Sequence, residues 1–401
     1  MISEASRPYI DASVPVLRAH GLAITTTFYA GLFEELPALT NLFNMGNQAN
    51  GAQQQSLASA VFAYAANIGN PGALGPVISR IVNKHVSVGI RAEHYPIVGR
   101  HLLGAIASTL GEAATPPLLA AWDEAYNSLA KLFIDAEHAM YAQAGIEPGQ
   151  TRTMRVAQVQ RESADVMSIR LAETDGWPLP AFKAGQYLSV TVDFGDGRRQ
   201  IRQYSLSDAP RADSLRISVK REAAGEATPA GEVSNWIHDH IVPGSLLEVS
   251  LPWGDFTPDT ESDAPVALLS AGVGITPMIA ALNRIVQHNP QRRVVFAHAA
   301  RDLAHQAHLA DIAAAQAAMP NLQVALFHET AHADGAAGLQ AIAGRMDAAK
   351  LPAWPLADTN VYMCGPLPFM RAQWLALLHA GVPVVRLHRE VFGPEMLDHL
   401  L

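Results

Sequence analysis

Three polar side chains sit on apolar helical stripes, where a chemical reason is needed to keep them. Gln53 lies one turn before Leu57 and shares its inward face, and His85 follows Ile81 and Val82 on theirs. Glu137 lies one turn from both Phe133 and Tyr141. An inward carboxylate is costly unless a partner satisfies it. Taken singly, each of the three reads as a satisfied core polar group; together they weigh against that reading.

A second set of residues is built for phosphates and flat rings. Arg202-Gln203-Tyr204-Ser205 offers a cation for a pyrophosphate beside an aromatic and a hydroxyl. Val219-Lys220-Arg221-Glu222 follows, and Gly231-Glu-Val233-Ser234 turns into a helix whose first N–H groups can receive a phosphate. Gly272-Val273-Gly274-Ile275-Thr276-Pro277 stands directly after an apolar strand. Its glycines permit close backbone approach, and Pro277 suits the first turn of a helix. It is not the three-glycine dinucleotide fingerprint, because Ile-Thr-Pro follows the second glycine. Cys364-Gly365-Pro366 closes a later strand, either as a plain buried cysteine or as part of a ligand site.

The elements that must carry these groups change character along the chain. Residues 1–146 read as helices only. Leu118, Trp122, Tyr126, Leu129, Phe133 and Tyr141 form one stripe, Ile78, Ile81 and Val82 another, and Leu57, Val61, Tyr64 and Ile68 a third. Prolines 37, 71, 96, 116 and 117 punctuate the region. A linker is expected over 147–152. From 153 to 260 the alternation is strand-like, as in Leu188/Val190/Val192 and Leu215/Ile217/Val219, with Asp-Gly turns between, which predicts a small antiparallel barrel. Over 261–401 the runs Val266–Leu269, Val294–Ala297, Val324–Phe327 and Val361–Met363 alternate with helical segments, which predicts a doubly wound parallel sheet.

Composition bounds the partners. The chain has 401 residues, 49% hydrophobic and 16% charged, with a formal charge of -9 and one cysteine. That length implies more than one domain, and the acidic balance argues against nucleic acid and anionic membrane. A single cysteine leaves no intramolecular disulfide and fits a reducing compartment. The uncharged stretch 264–282 is about long enough to span a bilayer, but its glycines and proline suit a strand–turn–helix unit better. A cytoplasmic, monomeric protein without an obligate membrane is expected.

The segments 37–68, 83–103 and 121–141 resemble the globin part of flavohemoglobins. Residues 202–207, 219–222 and 231–236 resemble the flavin domain of the ferredoxin-reductase-like superfamily. The resemblance implies an all-α globin, then an antiparallel FAD barrel, then an α/β doubly wound NAD(P) domain. It carries His85 over as the proximal ligand of haem b, with Tyr95 and Glu137 as the pair acting on that histidine. Tyr29, Gln53 and Leu57 match the distal pocket, and Phe28 and Phe43 match haem-packing aromatics. Lys84, beside the ligand, matches a position near the flavin or is a solvated surface charge. Tyr187 in Gly185-Gln-Tyr187 matches the adenine side of FAD. Gly272–Pro277 matches the NAD(P) loop, and Cys364-Gly365-Pro366 falls near the nicotinamide. Glu390-Val391-Phe392-Gly393-Pro394 resembles the segment covering the flavin, its glutamate and phenylalanine facing the ring. Two departures stand out: Arg389 replaces the family's tyrosine, and the linker lacks the Gly-Gly-Trp element usual after the globin.

The implied activity is nitric oxide dioxygenation: NADH or NADPH reduces FAD, FAD reduces the haem, and nitric oxide and oxygen give nitrate. FAD is the required converter, since a hydride carries two electrons and haem iron takes one. An NAD(P)H reductase of broad range, an alkyl or lipid hydroperoxide reductase with lipid in the distal pocket, and a haem-based oxygen sensor are the alternatives. A sensor would need an output domain, whereas the reductase supplies turnover.

Overall fold

The computed structural model describes residues 2–176, 178–225, 228–330 and 341–394. The first part is helical: α1 (Arg7–Glu35), a short α2 (Met45–Ala49), α3 (Ala52–Ala66), α4 (Pro71–Val88), α5 (His94–Leu110) and α6 (Pro116–Ala144). Prolines at the starts of α1, α4 and α6 occupy positions whose N–H would have no helical partner. Helices α4 and α6 stop at Gly89 and Gly145, both in the left-handed region at φ 78° and 67°. The expected stripe after Pro76 begins one turn earlier, because Pro71 opens the helix and Pro76 lies inside it. Ile10, Ile24, Leu32, Ile106, Trp122 and Ala125 are buried in the core these helices share.

Strand β1 (Arg152–Arg161) begins where the linker was expected to end. It is followed by β2 (Val166–Ala172), β3 (Tyr187–Asp193), β4 (Arg199–Ser205), β5 (Leu215–Lys220), α7 (Glu232–His240) and β6 (Leu246–Val249). The sheet order is β4-β3-β6-β1-β2-β5, with β1–β2, β1–β6 and β2–β5 antiparallel. An antiparallel bridge between Leu206 and Ile217 carries the end of β4 onto β5, so the two edges meet and the sheet closes as a barrel.

The rest is a parallel sheet with helices: β7 (Val266–Ala271), α8 (Ile275–His288), β8 (Val294–Ala300), α9 (Leu309–Ala318), β9 (Leu322–His328), β10 (Ala341–Ala343), β11 (Asn360–Cys364), α10 (Leu367–His379) and β12 (Leu387–Glu390). Its order is β10-β9-β8-β7-β11-β12, every pair parallel. The 264–282 stretch is β7, a turn and α8. No helix among the described residues is long and apolar enough to cross a membrane.

By packing, the chain forms two compact units. One holds the described residues up to Thr151 with 191–202 and Gly393 onward; the other holds 152–190 and 203–392.

Candidate functional site

In the helical unit, His85 lies in the last turn of α4, Tyr95 in the first turn of α5 and Glu137 on α6. Glu137 is buried, yet it is satisfied: His85 Nδ1 lies 2.8 Å from its Oε1, and Tyr95 donates to the same oxygen at 2.5 Å. Nδ1 is also 3.0 Å from the Tyr95 hydroxyl. Burial, and then the carboxylate beside it, push the Tyr95 phenol well above its ordinary value, so it remains a donor. Both groups around Glu137 therefore donate hydrogen bonds to it. That puts the imidazole proton on Nδ1 and leaves the Nε2 lone pair for a metal. The Phe133 ring, 5.7 Å from the imidazole, packs against it and was not among the expected site residues. Lys84 points to the C-terminal segment of the same unit, donating to the Gly393 carbonyl at 2.9 Å.

A second group gathers around Tyr29 on α1. Phe28, Phe33 and Phe43 surround its ring at 4.8, 5.8 and 5.7 Å, and Leu57 packs on the same core. The hydroxyl stands beside Gln53 and Gln48. Burial lifts the phenol to about 12, while the two amides pull it partly back. Gln48 was missed because α2 is too short to show a period.

In the barrel, Tyr187 and the Arg202–Ser205 segment lie on neighbouring strands, β3 and β4. Leu206 donates to the Gln186 carbonyl, and Tyr187 exchanges both backbone hydrogen bonds with Trp253. Gly254 lets that segment pass the Tyr187 ring, since a Cβ there would come 3.0 Å from it. Arg202 is half-buried and bonds the Ile201 carbonyl and the Gln200 side chain, Tyr204 is half-buried, and Gln203 is exposed. Lys220 pairs with Glu222 at 3.0 Å. Gly231 opens α7 with no room for a side chain: a Cβ would meet Ser234 Oγ and Glu222 Cβ below 3 Å. The Ser234 hydroxyl is occupied by the Gly231 carbonyl and the Glu222 N–H, and Val233 is buried. What this turn offers a phosphate is thus mainly backbone N–H.

The parallel sheet reverses its order between β7 and β11, and ligands in such sheets bind beyond the strand ends at that reversal. Gly272–Pro277 follows β7 and Cys364–Pro366 begins at the last residue of β11, so both expected segments stand there. They interlock. A Cβ on Gly274 would sit 2.3 Å from the Cys364 carbonyl oxygen, and one on Gly365 3.1 Å from Ala271 backbone. Ile275, Thr276 and Pro277 turn their side chains into the core, leaving Gly272 and Val273 accessible.

Cys364 is fully buried, and burial together with Glu390 pushes its thiol up, so it stays protonated. Cys364 pairs in register with Glu390 on one side and Ser270 on the other, and Ser270 pairs with His298. The fully buried His298 bonds Ser270 at 2.8 Å, and burial holds its imidazole down to about 3, hence neutral. Nothing in the sequence pattern singled it out. Phe392 is exposed, Val391 and Pro394 are half-buried, and Arg389 lies over the Trp374 ring at 5.6 Å.

Two family models match the chain: Globin over residues 26–132, and the Oxidoreductase NAD-binding domain over residues 268–374. A flavohemoprotein of Chromobacterium violaceum is 48% identical over 399 residues, covering 98% of each chain. One of Bacillus subtilis is 40% identical over 402 residues, covering 99% of this chain and 98% of its own. Among solved structures, the flavohemoglobin of Malassezia yamatoensis with bound FAD and heme superposes with a TM-score of 0.85 at 28% identity. It covers 98% of this chain and 100% of that one. The FAD/NAD binding domain of a nitric oxide dioxygenase from Vibrio cholerae is 34% identical, with a TM-score of 0.56, over 61% of this chain and 99% of that one. Matched in this way from the helices through the parallel sheet, the chain belongs to the flavohemoprotein family.

Proposed function

We propose that the chain is a nitric oxide dioxygenase driven by NADH or NADPH through FAD and haem b. The observation that carries this is the buried Glu137 accepting from both His85 Nδ1 and Tyr95. A carboxylate on the far nitrogen fixes the tautomer and makes Nε2 a stronger electron donor, the condition for activating oxygen rather than storing it.

The residues present fit each group. His85 would hold the iron, with Phe28, Phe43 and Leu57 against the porphyrin. Tyr187, Arg202–Ser205, Lys220, Glu222 and the Gly231–Ser234 turn would hold FAD, with Glu390–Pro394 over it. Gly272–Pro277 and Cys364–Pro366 would hold the nicotinamide nucleotide. When bound, these groups supply hydride transfer, its division into single electrons, and an iron that takes oxygen. The protein positions and insulates. Glu137 accepts hydrogen bonds from His85 and Tyr95, the Tyr29 hydroxyl would donate a hydrogen bond to oxygen, and Gln53 helps to place that hydroxyl. Cys364 remains a thiol that shapes the wall, and Glu390 sets the charge beside it. The domain boundaries expected above, 1–146, 153–260 and 261–401, belong to the same reading, as does a cytoplasmic monomer acting on small molecules. Each nicotinamide oxidised would convert two nitric oxide and two oxygen molecules to two nitrate ions, releasing one proton.

Nitric oxide as substrate is supported by the Vibrio cholerae relative that bears that activity in its name. The test is anaerobic reduction of the purified protein by NADH, followed by oxygen and nitric oxide. The flavin band should bleach, the Soret band should shift as the haem is reduced, and nitric oxide should be consumed catalytically only with oxygen present. Sustained loss of nitric oxide beyond one equivalent per haem at the same rate without oxygen, or an irreducible haem, would overturn the reading. His85→Ala should remove the Soret band while flavin reduction persists; a full Soret band in that variant would remove His85 from the iron.

A further inference from the structure

Gln48, on α2, is nine-tenths buried. Its backbone carbonyl receives the Gln54 side-chain Nε2 at 3.2 Å, and the same Nε2 reaches Gln48 Oε1 at 2.9 Å. A backbone carbonyl only accepts, so Gln54 must present its NH2 group there. That orientation in turn fixes the Gln48 amide, its oxygen toward Gln54 and its NH2 on the other side. Sealed from solvent, Gln48 Nε2 has no hydrogen-bond acceptor at proper geometry among the described residues. The Gln48 amide acts on the Tyr29 hydroxyl, drawing that phenol down against the pull of burial.

A phenol oxygen has one proton to give and lone pairs to receive. We propose that Gln48 is a positioning residue whose Nε2–H is aimed at the Tyr29 lone pairs, leaving the Tyr29 proton to point at oxygen in the pocket. With oxygen bound, the chain of donors would run from Gln54 through Gln48 and Tyr29 to the ligand, each bond polarising the next. Gln53 reaches the same hydroxyl, but among the described residues no backbone carbonyl anchors its amide. Gln48 is therefore the group with a fixed direction. The inference rests on Tyr29 being the donor to oxygen, as read above.

The test uses the full haem- and flavin-loaded protein and measures two things that do not depend on turnover. These are the oxygen release rate and the C–O stretching frequency of the carbon monoxide complex. Gln48→Met keeps the length and removes the donor. It should speed oxygen release about fivefold, the worth of one ordinary hydrogen bond, and raise the C–O frequency. Gln48→Glu supplies an acceptor that turns the Tyr29 proton away, and should speed release further. Gln54→Met, which leaves Gln48 in place and frees its amide to rotate, should act in the same direction and covers the case in which position 48 tolerates no change.

Each substitution is repeated on Tyr29→Phe, where it should change nothing, because the relay has lost its last member. Equal effects in both backgrounds would mean a general loosening of the pocket and would overturn the proposal. So would unchanged release in all three variants while Tyr29→Phe alone accelerates it. If Tyr29→Phe leaves release unchanged, the reading of Tyr29 itself fails, and the relay falls with it.

Discussion

At residue scale the decisive fact is that one buried carboxylate serves two donors. Glu137→Gln keeps the size and the acceptor oxygen but removes the charge that strengthens His85. Haem content should stay near normal while nitric oxide turnover falls by roughly tenfold or more, as for other groups that orient a metal-bound histidine. Turnover per haem is the measurement, and an unchanged value would detach Glu137 from the chemistry. Much of this group was legible in the sequence. His85 and Glu137 stand on apolar stripes where a polar side chain is anomalous, and their pairing is the reason they are tolerated. Gln48 was not legible, because its partner Gln54 and its target Tyr29 come together only through the turn between α2 and α3. His298 was hidden for a different reason. It looks like one more residue of a buried strand, and only register with Ser270 and Cys364 gives it a place.

At the scale of elements, apolar residues at alternate positions marked the strands that carry them, although β2, β3 and β5 are buried on both faces, and missed the more polar ones. Strands β2, β3, β5 and β6 follow their apolar residues. β4 (Arg199–Ser205) reads as polar, and β12 (Leu387–Glu390) is too short to show a period. The long α1 carries Pro15 and a threonine run, which obscured its stripe. The glycines of Gly272–Pro277 are expected from sequence to let backbone approach a phosphate; what the sequence does not show is that Gly274 meets the backbone of Cys364, on the adjacent strand. Gly274→Ala should therefore cost on the order of 1–3 kcal/mol by overpacking, or force the two loops apart. Thermal unfolding would show the first outcome and a weakened NADH affinity the second. A variant with neither would show that the loops yield freely.

At the scale of the whole molecule, stability within the second unit should depend on acid. Asp311 on α9 bonds His308 at 2.9 Å, Asn283 of α8 at 2.9 Å and Arg216 of β5 at 3.1 Å, tying the barrel to the parallel sheet. Burial draws its carboxyl upward, but His308, Arg216 and Asn283 outweigh that and hold it well below the usual carboxylate range. A depressed folded value means stability that is present above the unfolded value near 3.8 and lost as pH falls through the folded one. Asp311→Asn should cost on the order of 3 kcal/mol at pH 7 in urea unfolding, and distinctly less at pH 3. An equal loss at both pH values would mean that the charge contributes nothing. None of this cluster was expected from sequence, since Asp311 sits in an alanine-rich helix that looks featureless.

The meeting of Gly274 with Cys364 and of Gly365 with Ala271 also bears on how such a chain can vary over time. Neither loop can gain bulk while the other keeps its course, so a substitution harmful on one side becomes acceptable only after a matching shift on the other. Drift at these two places should be coupled. Among descendants of a common ancestor, changes at 272–274 and 364–366 would then appear as compensated pairs, with single intermediates rarely surviving. Recombination that swaps one loop without its counterpart should give chains that fold poorly, although each half comes from a sound parent.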